Sequence, residues 1–235
     1  MSTDFIAEPV VAIVVAAGSG SRLGAAVPKA LVPVAGVTLL RRSLTQLAAG
    51  GVQQAVVVVP AETAELFDAD LLDAPLPVQR VVGGAQRQDS VAAGLAVLPD
   101  VIADAEALVL IHDAARAFVP SDVVARVIDA VRSGADAAIP VVPVADTIRE
   151  VDEAGSHVID RTRLRGVQTP QGFRRSIIEA AHAVLSDTGT PVTDDAAAVE
   201  YTGHEVTLVA GDRLAFKVTE PLDVALAVAV AGGAA

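Results

Sequence analysis

Cysteine is absent from this 235-residue chain, which excludes disulfides, thiolate zinc sites and a cysteine nucleophile and leaves a reducing compartment open. Tryptophan is absent too, aromatic residues make up 3% of the chain, and 29 acidic residues outnumber 17 basic ones for a formal charge of −12. Nucleic acid is thereby excluded as the main partner. Phosphate-backbone binding wants a basic face and single-strand binding wants stacking rings. The most apolar stretch, Val224 to Ala235, is far shorter than the roughly 20 residues a bilayer needs. Met1 to Pro9 carries Asp4 and Glu8 and no basic cluster, unlike a secretory signal. No membrane and a cytoplasmic location are the expectation. Lysine is scarce: Lys29 and Lys217 stand alone against 15 arginines. Such a bias keeps lysine where a compact, mobile charge suits better than a planar fork.

What is present builds a core. Apolar residues are 52% of the chain and the mean hydropathy is +0.53, so residues 1–235 are expected to fold as one domain. β-Branched runs at Val10–Ala16, Val52–Pro60, Val78–Val82, Ala107–His112 and Ala137–Val142 read as strands buried on both faces. Helical patterns lie between them at Thr38–Ala49, Arg87–Leu98 and Ser121–Ser133. That alternation predicts an α/β fold, a Rossmann-like three-layer sandwich with a mostly parallel sheet. Ligands then sit at the carboxyl ends of strands, which directs attention to the loops after Ala17, Val82 and Ile111. Residues 143–164 are polar and poor in apolar runs, with a turn signal at Asp152–Gly155; they predict an extended β-hairpin arm. Beyond it come a helix from Arg174 to about Ser186, a helix from Thr193, strands at Glu205–Val209 and Ala215–Thr219, and a last helix opened by Pro221.

The strongest local signal is Ala16-Ala17-Gly18-Ser19-Gly20-Ser21-Arg22 after the first strand, followed by Pro28-Lys29. Glycines let backbone N–H groups approach a phosphate chain, and Arg22 and Lys29 would neutralise it. Gly18, Gly20 and Gly24 are spaced one residue too widely for the dinucleotide fingerprint, and no Gly-Lys-Ser/Thr follows, so both common phosphate loops fail. Asp113 closes a buried strand, where a carboxylate meets Mg²⁺ or a substrate hydroxyl, or merely caps the next turn. His112 reads as packing, and His157, His182 and His204 show no metal spacing.

The Gly18–Arg22 loop with Pro28-Lys29 resembles the signature of nucleotidyltransferases. His112-Asp113-Ala114-Ala115-Arg116, Asp146-Thr147, Asp160-Arg161, Thr169-Pro170-Gln171, Thr193-Asp194-Asp195-Ala196 and Lys217-Val218-Thr219 follow in the order seen in the 2-C-methyl-D-erythritol 4-phosphate cytidylyltransferase family of the non-mevalonate isoprenoid pathway. The resemblance runs from about Val10 to the C-terminus; Ala117 stands where many relatives carry proline. It implies transfer of cytidylyl from CTP to a polyol phosphate with Mg²⁺ required. It further implies nucleotide binding by Ala16, Ala17, Gly18, Ser19, Gly20, Gly84, Ala85, Arg87, Ser90 and Ala114. Catalysis would fall to Arg22, Lys29, Arg161 and Lys217. The acceptor would be held by Asp113, Arg116, Thr147, Arg161, Thr169 and Lys217, with Asp113 the metal ligand. A phosphate nucleophile is already anionic near neutral pH, so pre-placed cations matter more than a general base. Asp194 and Asp195 read as first-turn helix residues. The arm predicts a homodimer in which Thr147 and Arg161 reach the neighbour's site. A ribitol 5-phosphate cytidylyltransferase is the nearest alternative. A non-catalytic nucleotide-binding regulator is disfavoured by Arg22, Lys29 and Lys217, and a dehydrogenase by the glycine spacing.

Overall fold

A computed structural model of the chain describes residues 8–18, 20, 23–102, 104, 106–153 and 155–233. In chain order the strands are β1 (Val10–Val15), β2 (Pro33–Val34), β3 (Val37–Thr38), β4 (Gln54–Val59), β5 (Val78–Val82), β6 (Leu108–Asp113), β7 (Ala137–Pro143), β8 (Ile148–Asp152), β9 (Gly155–Ile159), β10 (Arg165–Val167), β11 (Gln171–Arg174) and β12 (Val206–Ala210). The α-helices are α1 (Leu39–Ala49), α2 (Asp68–Leu72), α3 (Arg87–Ala96), α4 (Leu98–Val101), α5 (Ser121–Arg132), α6 (Arg175–Thr188), α7 (Asp195–Tyr201) and α8 (Pro221–Gly232).

The main sheet has eight strands and is mostly parallel, as the α/β alternation predicts. β6, β1, β4 and β5 run parallel side by side. β10 and β11 lie along one edge of β7, antiparallel to it, and β11 also pairs with β6. Ala137 and Val141 pair with that segment and with β12 as well, so β12 occupies the opposite edge of β7. The alternation of β1 shows why its apolar run is unbroken. Val10, Ala12 and Val14 join Leu40, Leu44 and Leu47 of α1 and Val123, Val124, Val127 and Ile128 of α5 on one side. Val11 and Ile13 join Val91 and Leu95 of α3 and Ile178, Ala181 and Leu185 of α6 on the other. Burial of each such Val or Ile stabilises by about 1.5–3 kcal/mol before entropy is counted. A small third cluster, Val34, Leu39, Ala117, Phe118, Val218 and Ala227, forms where α8 meets β2.

The predicted hairpin arm is a separate two-stranded sheet of β8 and β9, with most side chains exposed. One expected strand is absent. Residues 215–219 form no ladder: Arg213–Ala215 is a 3-10 turn, and the following chain crosses the sheet end with Val218 N–H donating to Ala115 O at 2.9 Å. Phe216 stacks on Phe118 at 5.9 Å, so the apolar alternation there serves the third cluster rather than a sheet face. Among the described residues no helix is long and apolar enough to cross a membrane.

Candidate active site

β1 and β6 end side by side, with Val15 opposite Asp113, and the sheet continues from β1 towards β4 and β5 on one side and from β6 towards β11 on the other. Such a switch point leaves a crevice above the strand ends. A cavity of about 430 Å³ fills it, walled by the loops after β1, β5 and β6 and by the segment carrying Lys217. Ala16, Ala17, Gly18, Gly20, Lys29, Gly84, Ala85, Arg87, Ser90, Asp113, Ala114 and Lys217 all line it. Ser19 and Arg22 lie outside the described residues. Gly20 has φ +62°, and a Cβ there would stand 2.6 Å from Lys29 Cβ. This glycine therefore lets the phosphate loop turn against the lysine.

Asp113 is the charge hub. Its Oδ2 lies 2.8 Å from Lys217 Nζ and 3.8 Å from Arg116 Nε, and its Oδ1 lies 3.3 Å from Arg87 Nε. Burial alone would raise its pKa; Lys217 and then Arg87, with Arg116 adding to them, hold it well below the usual carboxylate range. Burial likewise opposes the charge of Arg87, but Asp195 and Asp113 outweigh it and raise the pKa. At Arg116 burial wins over Asp113, and Arg87 adds repulsion, so the pKa falls.

The Asp113 backbone is pinned from beneath. Its N–H donates to Thr169 Oγ at 3.0 Å, and Thr169 Oγ lies 3.0 Å from His112 Nδ1. Burial pushes His112 down to about 3, so the ring is neutral, and its tautomer sets which of Nδ1 and the Thr169 hydroxyl donates to the other. Thr169 is thus buried among these partners and lies outside the cavity lining. Arg116, also expected on the acceptor, is outside the cavity lining and donates to Ala215 O at 2.8 Å and Val167 O at 3.4 Å, bracing the Lys217 segment. Ser90 lines the cavity but donates its hydroxyl to Gln86 O at 3.1 Å. Thr147 and Arg161 lie on the arm and its base, outside this cavity; Arg161 donates to Ala145 O.

Two participants escaped the sequence reading. Asp195, taken as a helix-turn acid, is buried and pairs with Arg87 Nη1 at 2.7 Å while its other oxygen lies 3.2 Å from His182 Nε2. Asp194 does act as the α7 cap, accepting from Ala197 N–H at 2.9 Å. Gln86 lines the cavity, and its N–H donates to Asp89 at 3.0 Å as α3 begins. Only its place inside the Gly83–Ser90 loop could have flagged it.

A divalent cation held by the protein itself wants several hard oxygens. Among the described residues no three acids or histidines cluster, and Asp113 is the sole carboxylate lining the cavity. Its oxygens already face Arg87, Arg116 and Lys217, so Mg²⁺ coordinated directly by Asp113 does not fit these residues.

A cation-walled cavity over the switch point of a mostly parallel sheet belongs to the class of nucleotidyltransferases with a Rossmann-like fold. Within that class the model of the 2-C-methyl-D-erythritol 4-phosphate cytidylyltransferase family matches residues 10–232. The chain belongs to this family. The protein of that name from Saccharopolyspora erythraea is 50% identical over 224 residues, covering 94% of this chain and 98% of the relative. The one from Nocardia farcinica is 48% identical, covering 93% and 92%. The crystal structure of 2-C-methyl-D-erythritol 4-phosphate cytidylyltransferase from Thermus thermophilus shares 36% identity with a TM-score of 0.78, covering 95% of this chain and 99% of that one.

Proposed function

We propose that this protein transfers the cytidylyl group of CTP to 2-C-methyl-D-erythritol 4-phosphate. An oxygen of the 4-phosphate attacks the α-phosphorus, the bond from that phosphorus to the bridging oxygen breaks, and pyrophosphate leaves. The products are 4-diphosphocytidyl-2-C-methyl-D-erythritol and pyrophosphate. The observation that carries this reading is the convergence of the two lysines of the chain on one cavity with the glycine loop. Family membership supports the acceptor and leaves ribitol 5-phosphate without support.

Phosphoryl chemistry of this kind needs positioning and charge more than covalent help. Lys29, beside Gly20, would take the charge that builds on the departing pyrophosphate. Lys217 stands 2.8 Å from Asp113, so the carboxylate holds the ammonium ready and an arriving acceptor phosphate draws it away. Arg87, clamped between Asp113 and Asp195, would shape the nucleotide pocket from behind rather than move with the substrate. Mg²⁺ would enter on the triphosphate and shield its charge, which suits a cavity with one carboxylate already engaged. The arm is proposed to complete the site of a second copy through Thr147 and Arg161, since neither lines its own cavity. The lack of cysteine suits a cytoplasmic setting. A pyrophosphate-release assay crossing CTP, ATP, GTP and UTP with methylerythritol phosphate and ribitol 5-phosphate tests the proposal. CTP with methylerythritol phosphate is expected to dominate; equal turnover with ribitol 5-phosphate would overturn the acceptor.

A further inference from the structure

Lys217 sits on a segment with no ladder of its own, so something other than the sheet must fix where its ammonium stands. The strongest tie lies at the start of that segment. Gln168, 5% exposed, donates from Nε2 to Asp212 O at 2.7 Å and accepts at Oε1 from Asp212 N–H at 3.1 Å. One side-chain amide thus closes on both backbone groups of a single residue, as a neighbouring strand would. Gln168 is itself tied to the sheet, its N–H donating to Pro140 O at 2.9 Å. Asp212 carries the geometry onward: its carboxylate accepts from Leu214 N–H at 2.7 Å and its carbonyl from Ala215 N–H at 3.1 Å, forming the turn that precedes Phe216 and Lys217. Gly211 makes the approach possible, because a Cβ there would stand 2.3 Å from Gln168 Oε1.

We propose that Gln168, through this clamp on Asp212, is a positioning residue that sets the reach of Lys217 into the active site. The proposal rests on the reading of Lys217 as a catalytic cation. It explains two sequence features without other use: a buried glutamine beside the Thr169-Pro170-Gln171 motif, and a glycine directly after β12. Lys217 Nζ meets Asp113 at 2.8 Å only while this turn is held, and Arg116 and Ala115 grip the segment further along. At its start the clamp works beside Gly211 N–H, which donates to Val141 O at 2.9 Å and ties the backbone but not the Asp212 turn.

The test perturbs the clamp from both sides. Gln168→Met keeps length and apolar bulk but removes both polar atoms; Gly211→Ala leaves the glutamine intact and pushes it away. Each should lower kcat about ten- to a hundredfold, the scale of an ångström's misplacement at a reacting centre. KM for CTP should stay near wild type. The double variant should lose little more than either single one, since both break the same contact. Phe67→Leu, in the core away from this loop, supplies a destabilised control whose kcat per folded molecule should not move. Should Gln168→Met fail to fold, Gly211→Ala decides the matter. Wild-type kcat in the folded fraction of Gly211→Ala, while Lys217→Ala is inactive, would overturn the clamp, as would an equal fall in Phe67→Leu. Wild-type turnover in Lys217→Ala would instead overturn the reading of Lys217.

Discussion

Asp113→Asn is the substitution whose outcome the structure constrains most. It keeps the volume and one accepting oxygen but removes the charge that faces Lys217, Arg87 and Arg116 at 2.8, 3.3 and 3.8 Å. Unit charges about 4 Å apart attract by roughly 4 kcal/mol at the effective dielectric of a protein surface, and much of that is offset by desolvation. The Lys217 side chain is 40% exposed, so solvent screens the pair that stands closest to Asp113. Deleting one partner of a buried pair typically costs 3–5 kcal/mol, because the remaining charges are left uncompensated. A loss near 3 kcal/mol should lower Tm by about 10 °C in a chain of this length. The folded-state pKa of Asp113 lies below its unfolded value of about 3.9, so its stabilisation is complete above that pH and lost as pH falls further. Wild type and variant should therefore differ by a constant amount from pH 5 to 8 and converge in stronger acid. The same deletion leaves the cavity more positive, so inorganic pyrophosphate should bind the variant more tightly while turnover falls. Calorimetric melts across pH, with and without pyrophosphate, read all of this. A Tm within about 2 °C of wild type at pH 7, or weaker pyrophosphate binding, would refute the hub.

Lys29→Ala should lower kcat by about two to three decades with a smaller effect on CTP affinity, because its charge matters most as pyrophosphate departs; steady-state kinetics decide. Gly20→Ala forces a left-handed conformation on alanine and drives its Cβ into Lys29, so kcat should fall with little change in the far-UV spectrum. His112, held down to about 3 when folded, binds no proton in the range where the unfolded histidine does, so it erodes stability as pH drops from about 6.5. His112→Asn should flatten the urea-midpoint profile between pH 6 and 4 by up to about 1.4 kcal/mol per unit. Refolding Lys29→Ala with Arg161→Ala chains should return roughly a quarter of wild-type activity if arms act in trans; activity no higher than the mean of the parents, with mixed dimers confirmed by mass, would exclude a shared site.

The buried strands were legible because their side chains are apolar on both faces, and β5 begins and ends where the sequence places it. The cavity was legible too, since loops at strand ends must hold the ligand in such a fold. What misled was local pattern without its partner. Residues 215–219 alternate like a strand, yet they join no ladder and Phe216 finds Phe118 instead. Thr169 and Arg116 carry substrate-binding chemistry in their side chains, and the fold adds ties that the motifs did not announce, to the Asp113 N–H and to Ala215 O. Asp195 could not be distinguished from a capping acid, because its partner Arg87 is remote in sequence and meets it only through the fold.

The order in which the chain supplies its parts has a consequence for incomplete copies. The last strand of the sheet ends at Ala210, before Lys217 and before α8. A product cut after that strand would hold every element of the sheet, while Asp113 would lack its ammonium and Val34, Leu39 and Phe118 would lose the cover given by Val218 and Ala227. Such a fragment would display an uncovered apolar face beside a carboxylate left to Arg87 and Arg116, a mark by which proteases and chaperones would tell it from the finished enzyme.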